Sequence, residues 1–243
     1  MHKPAFCRRR SLWLLLSAAI IAPAVASADG FSVDKVYHPY VQPLEREVEW
    51  RSLFINDDEE ALDGKQVHRL GLGASFSDRV FGEVYLIGEK DSGGSLSLEA
   101  YELEVKWQLT EQGEFFADWG LLFELETERD DDIWEYGTTL LVEKELGRWT
   151  GALNLSAIYE WGDDISNEWE SQLAAQLRYR HSRLFEPAVE LYSGEDAKGI
   201  GPVALGDIRF SGGHKLRWEF GLIFGLDSDS PDQTLRTMFE FEF

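Results

Sequence analysis

The stretch Leu216-Arg217-Trp218-Glu219-Phe220-Gly221-Leu222-Ile223-Phe224-Gly225-Leu226 carries a large apolar residue at every even position. Its odd positions are charged or Gly, Ile223 excepted. A period of two marks a strand with two unlike faces. Trp149 to Trp161 repeats the pattern, as does Phe115 to Leu125, and no stretch sustains helical spacing. Parsing at turn residues gives twelve runs: 44–55, 66–77, 79–88, 96–109, 113–126, 132–146, 148–160, 167–180, 184–195, 201–212, 214–227 and 232–243.

Runs of about ten residues suit strands that cross a bilayer at a tilt. The odd-numbered connections hold acidic clusters, among them Asp57-Asp58-Glu59-Glu60, Asp130-Asp131-Asp132 and Asp163-Asp164. The even-numbered ones read as tight: Ser77-Asp78, Thr110-Glu111-Gln112, Gly147, His181-Ser182-Arg183 and Gly213. Long loops at one end and short turns at the other are expected of an outer-membrane barrel. An even strand count puts both termini at one end, the periplasmic one by this reading. Aromatics fall at run ends, with Trp134, Trp161 and Trp169 at the outer and Trp107, Trp149 and Trp218 at the inner. Two such girdles suit the headgroup levels of a membrane, whereas the core of a soluble sandwich would not sort its rings this way.

The last run alternates Leu235, Thr237, Phe239, Phe241 and Phe243 with Arg236, Met238, Glu240 and Glu242. It resembles the terminal insertion signal of bacterial outer-membrane β-barrel proteins, with Phe239, Phe241 and Phe243 carrying the likeness and Thr237 departing from it. In size and layout the chain also looks like small twelve-stranded porin-like channels. The resemblance implies an all-β, antiparallel up-and-down barrel delivered to the outer-membrane assembly machinery. It also implies a Gram-negative outer membrane, with lipid and lipopolysaccharide as its surroundings.

Composition agrees with export. Lys3, Arg8, Arg9 and Arg10 precede an apolar run from Ser11 to Val25, and Ala26-Ser27-Ala28 follows as a small-residue cleavage site. Residues 1–28 therefore read as a signal peptide. Its removal would take with it Cys7, the single cysteine among 243 residues, so no thiolate or disulfide chemistry is expected. With 45 acidic residues against 23 basic and a net charge of −22, binding to nucleic acid is excluded as a general role.

If Phe243 faces lipid, parity assigns the lumen. Inward then point Glu47, Glu49, Arg51, Glu102, Glu104, Lys106 and Asp118, followed by Glu124, Glu143, Glu170 and Arg178. The last strands add Glu190, Arg209, Arg217, Glu219, Arg236 and Glu240. The third run is ambiguous, and placing Glu83 inside resolves it. Acids well outnumber bases in this set. Two readings compete: the charges pair across strands into a closed network, or the acid surplus demands water and selects cations. The second is preferred, which gives a passive, cation-preferring channel for small solutes; the alternative is a closed barrel with a binding or structural role.

Other chemistries find little support. The histidines His38, His68, His181 and His214 are scattered, His68 falls on the lipid-facing parity, and no Ser is placed beside it as a nucleophile would require. No enzyme, cofactor or metal site is expected; the acidic loops match no Ca²⁺-binding pattern and read as solvated. Residues 29–43 contain Val36-Tyr37-His38-Pro39-Tyr40-Val41-Gln42-Pro43, too rich in Pro for a wall strand. They are expected to form a periplasmic lead-in packed beneath a barrel of residues 44–243. The competing reading is a short plug with His38 on lumen carboxylates.

Overall fold

The computed structural model describes residues 33–59, 62–163, 165–195 and 197–243. The signal segment and the cluster members Glu60 and Asp164 lie outside the described residues. Twelve strands alternate in direction: β1 (Arg46–Asn56), β2 (Gln66–Ser75), β3 (Val80–Lys90), β4 (Ser97–Gln108), β5 (Asp118–Glu128) and β6 (Ile133–Leu146). They continue as β7 (Trp149–Gly162), β8 (Glu168–Tyr179), β9 (Glu186–Ser193), β10 (Lys198–Arg209), β11 (Lys215–Gly225) and β12 (Gln233–Glu242). Each pairs antiparallel with its sequence neighbours, and β1 pairs with β12, so the sheet closes on itself. Closure leaves no edge with unpaired backbone groups, the condition under which strands cross lipid.

Alternation sorts the two faces as parity requires. On β3, Phe81, Glu83, Tyr85 and Ile87 are buried inward while Val84 and Leu86 stand exposed on the outer wall. Trp50, Leu103, Trp107, Trp149, Trp169, Leu222 and Leu235 share that outer wall. Trp134 and Trp161 lie opposite one another on β6 and β7 and stack with ring centroids 6.4 Å apart. Trp149 packs on Tyr179 at 4.9 Å near the other rim, and Trp218 packs on Phe220 at 5.8 Å. At the closing seam Trp50 stacks on Phe239 at 6.0 Å, and Phe241 stacks on Phe243 at 6.3 Å.

Three details depart from the sequence reading. Strand β5 begins at Asp118 rather than 113, because Gly113 takes φ +75° and the chain turns through Phe116 before pairing. The connection between β4 and β5 is therefore one of the longer ones, and loop length separates the two mouths less cleanly than expected. Strand β10 begins at Lys198, three residues early. Its ladder with β11 is interrupted between Ile200 and Val203, where Pro202 has no N–H and Gly201 sits against the Leu222 carbonyl with no space for a Cβ. The third departure is the largest: residues 33–42 are not beneath the barrel but inside it.

Candidate functional site

The candidate functional surface is the lumen wall, and strand register decides what stands next to what there. One row of partners runs from Glu47 to Gly73, Glu83, Glu104 and Glu124 across β1 to β5. A second runs Glu102, Glu126, Glu135, Glu160 and Glu168 across β4 to β8. Like charges placed directly opposite destabilise a strand pair, so these rows are not there for stability. Few cations reach them. Arg69 from β2 contacts Glu102 and lies 3.7 Å from Glu126, and Thr139 donates to Glu124 at 3.2 Å.

The opposite arc is arranged differently. Arg236, fully enclosed on β12, reaches both Glu190 oxygens at 2.9 and 3.0 Å and Glu219 at 2.9 Å. Arg217 binds Glu219 at 2.8 Å, Tyr192 donates to Glu190 at 2.6 Å and Gln176 donates to it at 2.7 Å. Arg178 lies 3.4 Å from Glu186, and Arg180 lies 2.7 Å from Glu145. Charges pair across strands on this arc, and the acid surplus is concentrated on the other.

The strap, residues 33–42, crosses between these arcs. Buried Val33, Val36 and Val41 anchor it by contact. Its polar groups engage nearly every side of the lumen: Asp34 to Arg51 at 2.7 Å, Lys35 to Glu49 at 2.8 Å and to the Tyr85 hydroxyl at 3.0 Å. The Tyr37 N–H donates to Asn154 at 2.7 Å, and the Asn154 amide returns a bond to the Tyr37 carbonyl at 2.9 Å. The Tyr37 hydroxyl donates to Glu104 at 2.5 Å, His38 Nδ1 to Glu143 at 2.5 Å and the Tyr40 hydroxyl to Asp118 at 2.7 Å. The Val41 N–H donates to Gln108 at 2.7 Å. Burial works against the charged forms of Asp34 and Lys35. Nearby charge overrides it, with Arg51 foremost holding Asp34 below the usual carboxylate range and Glu49 foremost holding Lys35 above the usual amine range. Leu44 then takes φ +64° at the corner where the chain leaves the lumen and enters β1, a conformation disfavoured for a branched side chain.

A cavity lies on each side of the strap. The one toward the loop mouth, at the far end from Arg46 and Glu242, has a volume of about 260 Å³. Its acids include Asp34, Glu102, Glu124, Glu126, Glu135 and Glu160, and its basic lining groups are Lys35 and Arg69. Leu53, Val67, Ile87 and Ile158 add apolar lining. The other, of about 210 Å³ toward the terminal mouth, mixes Glu47, Glu83, Glu219 and Glu240 with Lys106, Arg178, Lys215 and Arg217.

Of the residues that parity put in the lumen, Glu47, Glu49, Arg51, Glu102, Glu104, Asp118, Glu143, Glu190, Glu219, Arg236 and Glu240 are buried inward. Lys106, Glu124, Glu170, Arg178 and Arg217 are half-buried and line the cavities. Arg209 sits exposed at the rim where β10 ends, opposite Lys215. Parity does not reveal the apolar lumen residues Leu53, Ile55, Val67, Val203 and Leu205, because charge was the marker used. It also overlooks Asn154 as the strap's backbone partner. The sequence reading placed no Ser beside His68; register brings Ser52 opposite it, Oγ to Nδ1 at 2.7 Å. Ser52 is 1% exposed, and Trp50 and Phe54 pack on the His68 ring.

A closed antiparallel cylinder with an apolar exterior and an ionic interior defines a transmembrane β-barrel of the outer-membrane type. No family model and no curated protein matches the chain. Among solved structures it is similar to the COG4313 outer membrane channel from Pseudomonas putida F1, with a TM-score of 0.57 and 16% identity over 90% of this chain and 100% of that one. It is also similar to the KdgM porin solved with disordered oligogalacturonate, at TM-score 0.53 and 11% identity over 81% and 98% of the two chains. The NanC porin gives a TM-score of 0.53 and 10% identity over the same shares. At such identities the likeness is one of fold.

Proposed function

We propose that the chain is a passive outer-membrane channel for small solutes, selective for cations. The observation that carries this reading is the acid-on-acid wall from β4 to β8, whose Glu102, Glu126, Glu135 and Glu160 face one another in register. A dry interior does not hold so many ionised carboxylates with Arg69 as their main cationic contact, so water and mobile cations occupy that side. An acidic lining raises cation concentration and rejects anions. The apolar residues facing it at the loop mouth accommodate the hydrocarbon part of a small organic cation. Phe243 and the start of β1 lie at the periplasmic mouth in this reading, and the acidic loops face outward.

The strap sets the rate of passage. Its hydrogen bonds to Asn154, Glu104, Glu143 and Asp118 span the lumen, so solutes move around it or displace it. Single-channel recording across a KCl gradient tests the proposal. A reversal potential on the cation side is expected, and an anion-selective one overturns it. The strap supports a second reading, a closed barrel whose role is binding. Liposome swelling separates the two, since a closed barrel admits no solute even after the strap is deleted.

A further inference from the structure

We infer that the lumen is a peptide-binding lane whose ligands are short peptides bearing basic and phenolic side chains, with the strap as their resident competitor. The strap runs lengthwise, from Val33 at the loop-mouth cavity to Gln42 at the terminal-mouth cavity. Much of what the wall holds in it is backbone. Asn154 on β7, 3% exposed, commits both ends of its carboxamide to the N–H and carbonyl of Tyr37. That pairing reproduces what a neighbouring strand offers, and it suits any residue but proline. Gln108 on β4 accepts from the Val41 N–H while its own amide is fixed on the Thr110 carbonyl. Ser75 Oγ donates to the Gln42 carbonyl at 2.5 Å. Between these holds Gly120 on β5 leaves a slot, since a Cβ there would stand 3.0 Å from the Pro39 Cα.

Side chains add selectivity. The Lys35 amine, the Tyr37 and Tyr40 hydroxyls and the His38 ring each meet a carboxylate. Those carboxylates are Glu49, Glu104, Asp118 and Glu143, from four different strands. Such a lane takes donors and rejects acidic side chains, because carboxylates brought together here repel. Buried Val33, Val36 and Val41 show that it also admits small apolar residues. A free peptide of this chemistry fits wherever the strap lets go, so binding is a contest between a tethered segment and a free one. The inference deepens the channel reading and rests on it for passage, whereas binding needs no conduction.

The test is fluorescence anisotropy of a labelled hexapeptide alternating Lys and Tyr, titrated with the full-length, detergent-solubilised barrel. Gel mobility checks that each variant is folded. A segment on a short tether competes at an effective concentration on the order of millimolar, so the wild type is expected to bind weakly. Tyr37→Ala with Tyr40→Ala loosens the strap, leaves the wall intact and is expected to tighten binding at least tenfold. Asn154→Ala added to that variant is expected to weaken it at least tenfold, with Gln108→Ala taking its place if the barrel does not fold. A hexapeptide alternating Glu and Tyr is expected not to bind. No saturable binding of the Lys–Tyr peptide to the loosened barrel overturns the inference. So does equal binding with and without the wall substitution. Binding of an alkyl diamine as tight as that of the peptide also overturns it, leaving a site for cations alone. The reversal potential is measured without peptide, so the channel reading stands or falls separately.

Discussion

The two arcs of the lumen wall use the same residue types for opposite ends. Between β9 and β12, Arg236 and Arg217 gather Glu190 and Glu219 into a network in which each charge has a partner. Between β4 and β8, carboxylates oppose carboxylates, with Arg69 their main cationic contact. A buried ion network is costly to break, whereas an uncompensated acidic wall is costly to keep unless something mobile occupies it. The first arc thus stabilises the cylinder, and the second is the one on which the proposed selectivity rests. Counting charges over the whole lumen averages the two and hides both.

The strongest way to break this comparison is Arg236→Met. It leaves Glu190 enclosed without its cation and Glu219 with Arg217 alone, and losing one partner of a buried pair costs about 3–5 kcal/mol. Urea unfolding followed by the gel-mobility shift of the folded barrel measures it; a change below about 1 kcal/mol would dissolve the distinction between the arcs. Removal of the strap comes next. Deleting residues 33–41 takes away the bonds to Asn154, Glu104, Glu143 and Asp118, and single-channel conductance should rise several-fold while the wall stays closed.

Glu124→Gln with Glu126→Gln sharpens the contrast from the other side. Removing charges that stand opposite Glu104, Glu102 and Glu135 should leave stability unchanged or raise it by up to about 1 kcal/mol. The same change should move the reversal potential toward zero. An unfolding midpoint lowered as far as that of Arg236→Met would mean that the acidic wall is structural after all.

The cylinder was legible because a wall strand must obey a period of two, and one lipid-facing anchor at Phe243 propagates inside and outside through every ladder. Even the ambiguous β3 resolved once Glu83 was placed inward. What stayed hidden was set by register and reach between strands rather than by pattern within one. The Ser52–His68 pair, the stacked glutamate rows and the reach of Arg236 across to Glu190 all belong to that class. The strap lay further out of reach. An aperiodic, Pro-containing segment has no face to assign, and its place follows from scattered partners at Glu49, Arg51, Asp118 and Asn154. His38 had suggested a plug, but its partner Glu143 is one carboxylate among many in the sequence.

That same His38 supplies the smallest of the expected effects. Enclosure by the barrel lowers its affinity for a proton below the ordinary value of 6.5; Glu143 opposes the shift, while Arg178 and Arg217 reinforce it. A strap released to water regains the ordinary value, so at acid pH the released form binds the proton more readily than the docked one. Docking is therefore at full strength above pH 6.5 and weakens as pH falls through that value toward the docked one. Conductance should rise on acidification from pH 7.5 to 5.5, and His38→Gln should flatten the part of the rise that the strap controls. Comparison with the strap-deleted barrel separates this from titration of the wall, because a channel lacking residues 33–41 keeps only the response of its carboxylates. A wild-type profile that coincides with the deletion profile would place the pH response in the acidic arc alone.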